Sequence, residues 1–398
     1  MNIKFLAAGI LVFSTSANAL VILQQASSSF DTQYDSNPLL NEDAKSVWRH
    51  TITPRYTISA VEDQNRWYAD AGLALQRSSD ERVTQDRQDP NFDAGWEHEM
   101  ERGRFSVVGR YEKRSSRFSE FNQNGFVDRD GSAITKSISA NWTKLITERL
   151  SYAIGSQYTN LTYDSSQFSD TVTKSINSSL TYELNERISP FIQLSYTDLK
   201  SDLLTNNNGL LINNLNGFFL NNNFANGGDS KSKNISVGTT ILLGPNWTLS
   251  ANIGVNKIDS ENQNTNSLLG VSSGSGKIGG LSIINQRERS TFNAGLSRTV
   301  SPSGIGGFVE SDQFNLGYNY LLNEKSSLNA GFNLNKNKSN FDSQSTQFLA
   351  SYSRELTEMW QMRLLFQSRM QKNSIQNQSV NVSGNVVGLT FTYSTPEF

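Results

Sequence analysis

Apolar and polar residues alternate along most of the chain, from about residue 48 to its end. One clear copy is Lys136–Thr143, which reads Lys-Ser-Ile-Ser-Ala-Asn-Trp-Thr, and after a short turn the pattern continues in Leu150–Gly155. A period of two places apolar side chains on one face of a β-strand and polar side chains on the other. The pattern therefore predicts sheets that are apolar on one face and hydrated on the other, as a transmembrane β-barrel requires.

The pattern predicts an all-β fold of about 18 strands, with about 16 as the alternative. Many of the segments are close to the ~9–11 residues that cross a bilayer as a tilted strand. The strands are expected at residues 28–35, 46–60, 66–76, 91–100, 104–113, 133–143, 149–159, 171–183, 187–198, 232–243, 246–257, 277–286, 290–299, 309–321, 326–337, 345–355, 358–370 and 382–394.

The predicted connections fall into two alternating classes. Short connections carry Glu or Asp, Asn and Arg or Lys, as in Asn185-Glu186-Arg187, whereas long ones such as 199–231 are rich in Asn, Ser, Asp and Gly. Outer-membrane barrels have short periplasmic turns and long extracellular loops. The alternation thus predicts an antiparallel up-and-down barrel with both termini in the periplasm. The same parity requires two strands between 258 and 312 and a first strand at 28–35.

The beginning of the chain has the features of a secretory signal peptide, predicted at 1–19 with the barrel at 20–398. Lys4 precedes an apolar run from Phe5 to Phe13, and Ala17-Asn18-Ala19 fits a small-residue cleavage site. No later run reaches the ~18–20 apolar residues of a transmembrane helix. An exported chain that enters a membrane only as strands is expected in the bacterial outer membrane.

Composition narrows the classes further. Hydrophobic residues make up 36% of the chain, which argues against a large two-layer globular core. Lys and Arg number 35 against 37 Asp and Glu, so no basic excess points to nucleic acid. The absence of cysteine excludes disulfides, a lipoprotein anchor and Cys-based metal sites. A soluble β-sandwich remains the alternative, although it leaves the signal peptide unexplained.

The predicted inner face changes character along the chain. Strand parity points charged residues inward in the early strands, whereas Ser, Thr, Asn, Gln and Gly dominate from about residue 133. Charged walls set a field across a pore, and neutral amides and hydroxyls can exchange hydrogen bonds with sugar hydroxyls. Any water-filled barrel also needs polar walls, so a general pore fits equally. The predicted pore-lining residues are Arg49, Arg55, Asp70, Glu97, Glu99, Glu101, Arg104, Arg110, Glu112, Arg363 and Arg369.

The sequence offers little catalytic chemistry. The only histidines, His50 and His98, have the lipid-facing parity near strand ends and are expected to be interfacial. We find no phosphate loop, no G-x-S-x-G elbow and no metal-ligand cluster in the sequence. The prediction is a protein that is not an enzyme and uses no cofactor, with a barrel hydrolase as a weak alternative.

Two further segments carry predictions of their own. Gly388, Phe391 and Tyr393 resemble the last-strand signal that the outer-membrane assembly machinery reads, and Phe398 fits a terminal aromatic. The extension between Tyr393 and Phe398 leaves open which aromatic is read. In 199–231, apolar residues alternate with asparagines, which predicts a constriction folded into or over the lumen or, alternatively, a self-packed surface loop. The candidate constriction residues are Leu211, Phe218, Phe219 and Phe224.

The chain also resembles a known group. Tyr34-Asp35-Ser36-Asn37 resembles the opening motif of β-barrel porins of the second type, and Ser301-Pro302-Ser303-Gly304 is similar to barrels encoded with exopolysaccharide gene clusters. The resemblance implies an outer-membrane barrel that helps to export or assemble extracellular polysaccharide. Its implied partners are outer-membrane lipid, the assembly machinery, polysaccharide and a polysaccharide export complex. A general or oligosaccharide-uptake porin and a structural barrel or adhesin remain open.

Overall fold

The structure, a computed structural model, describes residues 20–116, 131–164, 170–201, 228–260, 274–302, 308–338, 342–375 and 378–397. These residues form one sheet of 18 strands in which sequence neighbours are hydrogen-bonded. The strands are β1 (Val21–Asp35), β2 (Val47–Glu62), β3 (Asn65–Ser78), β4 (Arg87–Met100), β5 (Gly103–Ser115), β6 (Ser132–Thr147), β7 (Leu150–Tyr163), β8 (Thr171–Tyr182), β9 (Ile188–Ser201), β10 (Gly228–Gly244), β11 (Trp247–Ser260), β12 (Gly274–Gln286), β13 (Ser290–Pro302), β14 (Phe308–Asn323), β15 (Ser326–Lys338), β16 (Asp342–Glu355), β17 (Trp360–Ile375) and β18 (Gln378–Ser394).

The sheet is a closed antiparallel barrel. β1 pairs with β2 over its whole length and with β18 from Ser27 to Asp35. Closure gives every strand two neighbours, so the sheet has no free edge. The predicted fold class is confirmed, as is the number of strands. Within the described residues, no helix is long and apolar enough to cross a membrane.

Strand bounds differ most from the prediction at β1, which begins at Val21 rather than at 28. The stretch Gln24-Gln25-Ala26-Ser27-Ser28 has no clear alternation, so local pattern does not mark it as a strand. Pairing with the neighbouring strand makes this stretch a strand, because Val21 to Ser27 pair in register with Arg55 to Val61 of β2.

The two ends of the barrel differ in their connections. At one end, the short-turn end, neighbouring strands are joined by 63–64, 101–102, 148–149, 183–187, 245–246, 287–289, 324–325 and 356–359. At the other, the long-loop end, they are joined by 36–46, 79–86, 116–131, 164–170, 202–227, 261–273, 303–307, 339–341 and 376–377. The asymmetry weakens towards the C-terminus, where the last two long-loop connections are also short. Which end faces the periplasm stays a prediction.

Strand register assigns every described strand residue to one of two faces, because directly opposite residues share a face. Phe30 lies opposite Ile52 and Phe391, on a face where apolar side chains are exposed. Ile253 is 67% exposed on this face, and Ile138 is 54% exposed. A continuous exposed apolar band around a closed barrel requires lipid rather than water. This is the outer face, and the polar face encloses the lumen.

Aromatic side chains collect near both rims of the outer face. At the short-turn end, Trp360 packs against Tyr393 with ring centroids 5.2 Å apart, and Trp67 lies opposite Trp96. At the long-loop end, Trp48 packs against Tyr34 at 5.3 Å. Amphipathic rings at these two levels are typical of membrane–water interfaces.

Candidate pore lumen

Ion pairs cross the inner wall formed by β2 to β5. Arg55 Nε lies 2.8 Å from Asp70, and Arg110 Nε lies 2.5 Å from Asp93. Asp70 and Asp93 are directly opposite each other, and Arg110 is directly opposite Asp93. Arg55 reaches Asp70 diagonally, because Thr57 is the residue directly opposite Asp70. Four residues along β4 from Asp93, nearer the short-turn end, Glu97 pairs with Arg104 at 2.5 Å. We call these residues the charge ladder.

The charge ladder is solvated. The side chains of Arg55, Arg104 and Arg110 are about half exposed, at 48%, 51% and 55%. Pairs in that setting contribute only about 0–1 kcal/mol each to stability. Their main effect is on the field inside the lumen, since each positive charge has a negative charge beside it.

Two of the predicted pore-lining arginines are covered rather than open to the lumen. Arg49 and Arg369 both bind the carboxylate of Asp35, at 3.1 Å and 2.6 Å. The three side chains are 5%, 8% and 0% exposed. Parity correctly indicates their face, but this buried cluster cannot contact a solute as the prediction required.

Residues 36–41 cover the cluster by folding over the inner face of β18. Ser36 and Asn385 exchange hydrogen bonds of 2.9 Å and 2.8 Å, and the Asn37 amide donates to the Ser383 carbonyl at 3.1 Å. Leu40 packs on Val382. The approach is close: a Cβ on Gly384 would lie 2.9 Å from the Asn37 carbonyl oxygen. Through Asp35, Ser36 and Asn37, the Tyr34–Asn37 motif therefore joins the first strand of the barrel to its last two strands.

The remaining inner wall is mainly neutral, and asparagines both there and on β4 lie against glycines of the neighbouring strand. Asn315 lies opposite Gly295, and its Oδ1 is 2.6 Å from where a glycine Cβ would be. Asn91 covers Gly72 in the same way, also at 2.6 Å. This arrangement presents amide groups to the lumen without narrowing it. The cross-strand pairs of this kind are Gly72–Asn91, Gly155–Asn177, Gly280–Asn252, Gly295–Asn315 and Gly317–Asn293.

Near the long-loop end, the β13–β14 hairpin leaves the wall. β12 pairs with β13 only as far as Gly279 and Arg298, yet β12 continues along β11 to Gly274, and β13 continues along β14 to Pro302. The upper part of the hairpin is thus detached from its neighbour on one side.

The detached hairpin packs onto the inner wall. Phe308 is 1% exposed and belongs to one apolar cluster with Leu199 of β9 and Ile258 of β11, joined by Val300. Strands three apart lie about 14 Å apart along a wall. Phe308 of β14 can reach a cluster that includes β11 only by bending inward. Leu199 and Ile258 lie opposite Ser230 and Ser232, on the polar face. The hairpin therefore narrows the lumen.

The other predicted site residues divide as follows. Glu99 lies opposite Arg104, Glu112 lies opposite Asn91, and Arg363 donates to Ser351 Oγ at 3.5 Å, all on the inner face. Glu101 is in a turn and not in a strand. The predicted constriction residues Leu211, Phe218, Phe219 and Phe224 lie outside the described residues, as does Phe398.

The C-terminal signal residues lie in β18. Gly388 is opposite Gln33 on the inner face, while Phe391 and Tyr393 are on the outer face near the short-turn end. Both histidines are also on the outer face. His50 Nδ1 is 2.9 Å from Thr32 Oγ1, and His98 Nδ1 is 3.0 Å from Asn65 Oδ1. Within the described ranges, no group of three or more His, Cys, Asp or Glu residues could hold a metal ion.

Comparison with known proteins adds to this picture. No protein-family model and no curated protein matches the sequence. The fold is similar to OccAB4 of Acinetobacter baumannii, with a TM-score of 0.48 and 10% identity over 94% of this chain and 98% of that one. It is similar to OccK3 (OpdO) of Pseudomonas aeruginosa, with a TM-score of 0.45 and 11% identity over 94% and 95%. It is also similar to the ferric enterobactin receptor PfeA of Pseudomonas aeruginosa, with a TM-score of 0.49 and 7% identity over 94% of this chain and 80% of that one.

These similarities concern the fold alone. The closed sheet and its exposed apolar band by themselves identify the chain as a multi-pass transmembrane β-barrel with a polar inner face.

Proposed function

We propose that the protein is a passive outer-membrane pore for neutral, hydrated glycans, with exopolysaccharide export as its role. The observation that carries the proposal is the mainly neutral inner wall, where asparagine amides lie over glycines and the charges of the charge ladder are paired. The resemblance to exopolysaccharide-cluster barrels adds the direction of transport.

The physical argument concerns weak, repeated hydrogen bonds. A typical hydrogen bond contributes only about 0.5–1.5 kcal/mol net, because it replaces a bond to water. A wall of amides and hydroxyls can therefore exchange bonds with sugar hydroxyls along its length without holding the sugar at one position. Paired charges leave little net field to repel or retain a neutral chain.

One observation favours a second function, an uptake porin for oligosaccharides or other small solutes. The inward hairpin and residues 36–41 both occupy inner-wall positions at the long-loop end. Narrowing of this kind excludes large solutes more than small ones, as a size-selective uptake pore requires.

The neutral wall is tested in planar bilayers with the purified barrel. We expect stable channels whose current is interrupted for longer by neutral maltooligosaccharides than by polyethylene glycol of equal size. The polyether is the control, because it has no hydroxyl groups along its chain to donate to the wall. Equal residence times would reject the glycan wall, and an absence of channels would reject a pore.

The direction of transport needs a cellular experiment. A strain that lacks the protein should retain polymer in the periplasm and secrete less of it. Normal secretion together with slower growth on oligosaccharides would reject export and support uptake.

A further inference from the structure

Six lysines form a cluster on the outer face at the long-loop end of β8 to β12. Register places Lys233 directly opposite Lys257. Lys277 lies on the next strand, two residues from Ser275, which is the residue opposite Lys257. Lys174 lies opposite Asp198, which is also opposite Lys231. The lysine cluster consists of Lys174, Lys200, Lys231, Lys233, Lys257 and Lys277.

Aspartates neutralise only part of this cluster. Asp259 pairs with Lys233 at 3.3 Å and with Lys257 at 3.2 Å, and Asp229 pairs with Lys200 at 3.3 Å. With Asp198, three aspartates face six lysines among the described residues of β8 to β12, an excess of three positive charges. Like charges directly opposite each other destabilise a sheet, and the single charge of Asp259 offsets only part of the repulsion between Lys233 and Lys257.

The cluster lies at the edge of the apolar band. Ile235 and Val255 are each two residues from a cluster lysine, about 6.6–6.8 Å along the strand, and both are exposed. Lysine side chains at this depth extend their charge to the head-group level. Directly beneath is a cleft of about 550 Å³ whose outer-face lining includes Ile176, Leu194, Tyr196, Ile235 and Val255, with Lys233 and Lys257 above it.

Other outer-face lysines near this end form smaller groups: Lys113 lies opposite Ile134, two residues from Lys136, and Lys336 lies opposite Gln344, as Lys372 does. Lys136 lies opposite Tyr111 and Asn160, and Lys372 lies opposite Gln344 and Asn381. Neither has a second lysine opposite it in the described strands. The concentration on β8 to β12 is therefore a local feature of one side of the barrel and not a general property of its rim.

We propose that the lysine cluster and the cleft bind one phosphorylated glycolipid of the surrounding leaflet, of the lipid A type. Its phosphates would bind the lysines, since a lysine ammonium is a strong point-charge partner for phosphate. One acyl chain would occupy the apolar cleft. A lipid with two phosphates matches the three surplus charges better than a phospholipid with one. This inference does not depend on what passes through the lumen.

The test is titration of the purified barrel, in detergent, with diphosphorylated lipid A, followed by native mass spectrometry. We expect one lipid to bind with preference, and K233Q/K257Q/K277Q to weaken it by about ten- to a hundredfold, because charge-assisted hydrogen bonds are lost. The matched control K136Q/K372Q should bind as the wild type does. Heat-dependent migration on gels checks that each variant is folded.

Three outcomes would overturn the proposal: equal weakening by both sets of substitutions, equal affinity for fully dephosphorylated lipid A, or binding of a one-phosphate phospholipid with the same preference. Loss of lipid binding should leave single-channel conductance unchanged, because the cluster is on the outer face. Lipid binding therefore tests the proposed lipid site, and single-channel conductance tests the proposed pore, so either proposal can be rejected without the other.

Discussion

At the scale of single residues, Asp35 makes the main buried polar contact where the barrel closes. Its carboxylate is fully buried between Arg49 and Arg369, and it also accepts the Asn37 backbone N–H at 3.2 Å. Arg49 is on β2 and Arg369 on β17, so one carboxylate connects strands on both sides of the seam where the barrel closes. Removal of one partner from a buried ionic cluster leaves buried charge uncompensated.

Asp35→Asn should destabilise the barrel by about 3–5 kcal/mol for that reason. The matched control is Asp93→Asn, which breaks the half-exposed pair with Arg110 and should cost about 0–1 kcal/mol. Urea unfolding in lipid vesicles, followed by tryptophan fluorescence, measures both. A similar loss of unfolding free energy in the two variants would show that the buried ion pairs of Asp35 do not stabilise the barrel more than an exposed pair does.

Sequence parity places Arg49 and Arg110 on the same inner face but cannot separate their roles. Both are arginines of early strands at inward positions, and no local pattern marks one as buried. The difference arises because residues 36–41 fold over β18 and cover Arg49, whereas nothing comparable covers Arg110 among the described residues. Burial here depends on contacts between segments more than 300 residues apart, such as Asn37 and Ser383, with a separation of 346.

At the scale of elements, the β13–β14 hairpin narrows the described part of the lumen at the long-loop end. The sequence directs attention to 199–231 as the constriction, because apolar residues are conspicuous there. That constriction lies mostly outside the described residues and stays a prediction. The hairpin is a second narrowing: it presents Val300 and Phe308 to Leu199 and Ile258, which are single apolar residues among polar inner-wall neighbours. No contiguous apolar run signals that contact.

Phe308→Asp should release the hairpin from the wall. It removes a packed aromatic, whose truncation in a core typically costs about 3–5 kcal/mol, and buries a carboxylate in an apolar cluster. We expect a larger and noisier single-channel conductance in planar bilayers. Ser301→Asp is the control, since it adds the same charge to the same hairpin outside the cluster. Equal conductance changes in both variants would indicate an effect of charge and not of packing.

At the scale of the whole molecule, closure and asymmetry define the barrel. Every described strand has two partners, and turns at one end are short while most connections at the other are long. By analogy with bacterial barrels, the long-loop end is expected to face outward. The lysine cluster at that end then lies in the outer leaflet.

Orientation can be measured because the chain has no cysteine. Arg82, at the long-loop end, has a side chain 90% exposed, and Glu324 lies in an exposed turn at the opposite end. A maleimide too large for the pore should label Arg82→Cys on intact cells, but Glu324→Cys only after the outer membrane is permeabilised. The reverse labelling pattern would place the long loops in the periplasm.

The sequence by itself determined the strands, their number and the two faces, because alternation and turn parity are local properties of a β-chain. Tertiary structure decided which inner charges are solvated, which hairpin bends inward and where outer charges gather. Lys174 and Lys277 are 103 positions apart in the numbering, and only the register of five strands brings them into one cluster on the outer face. Such features depend on contacts across strands, which a period along one strand does not encode.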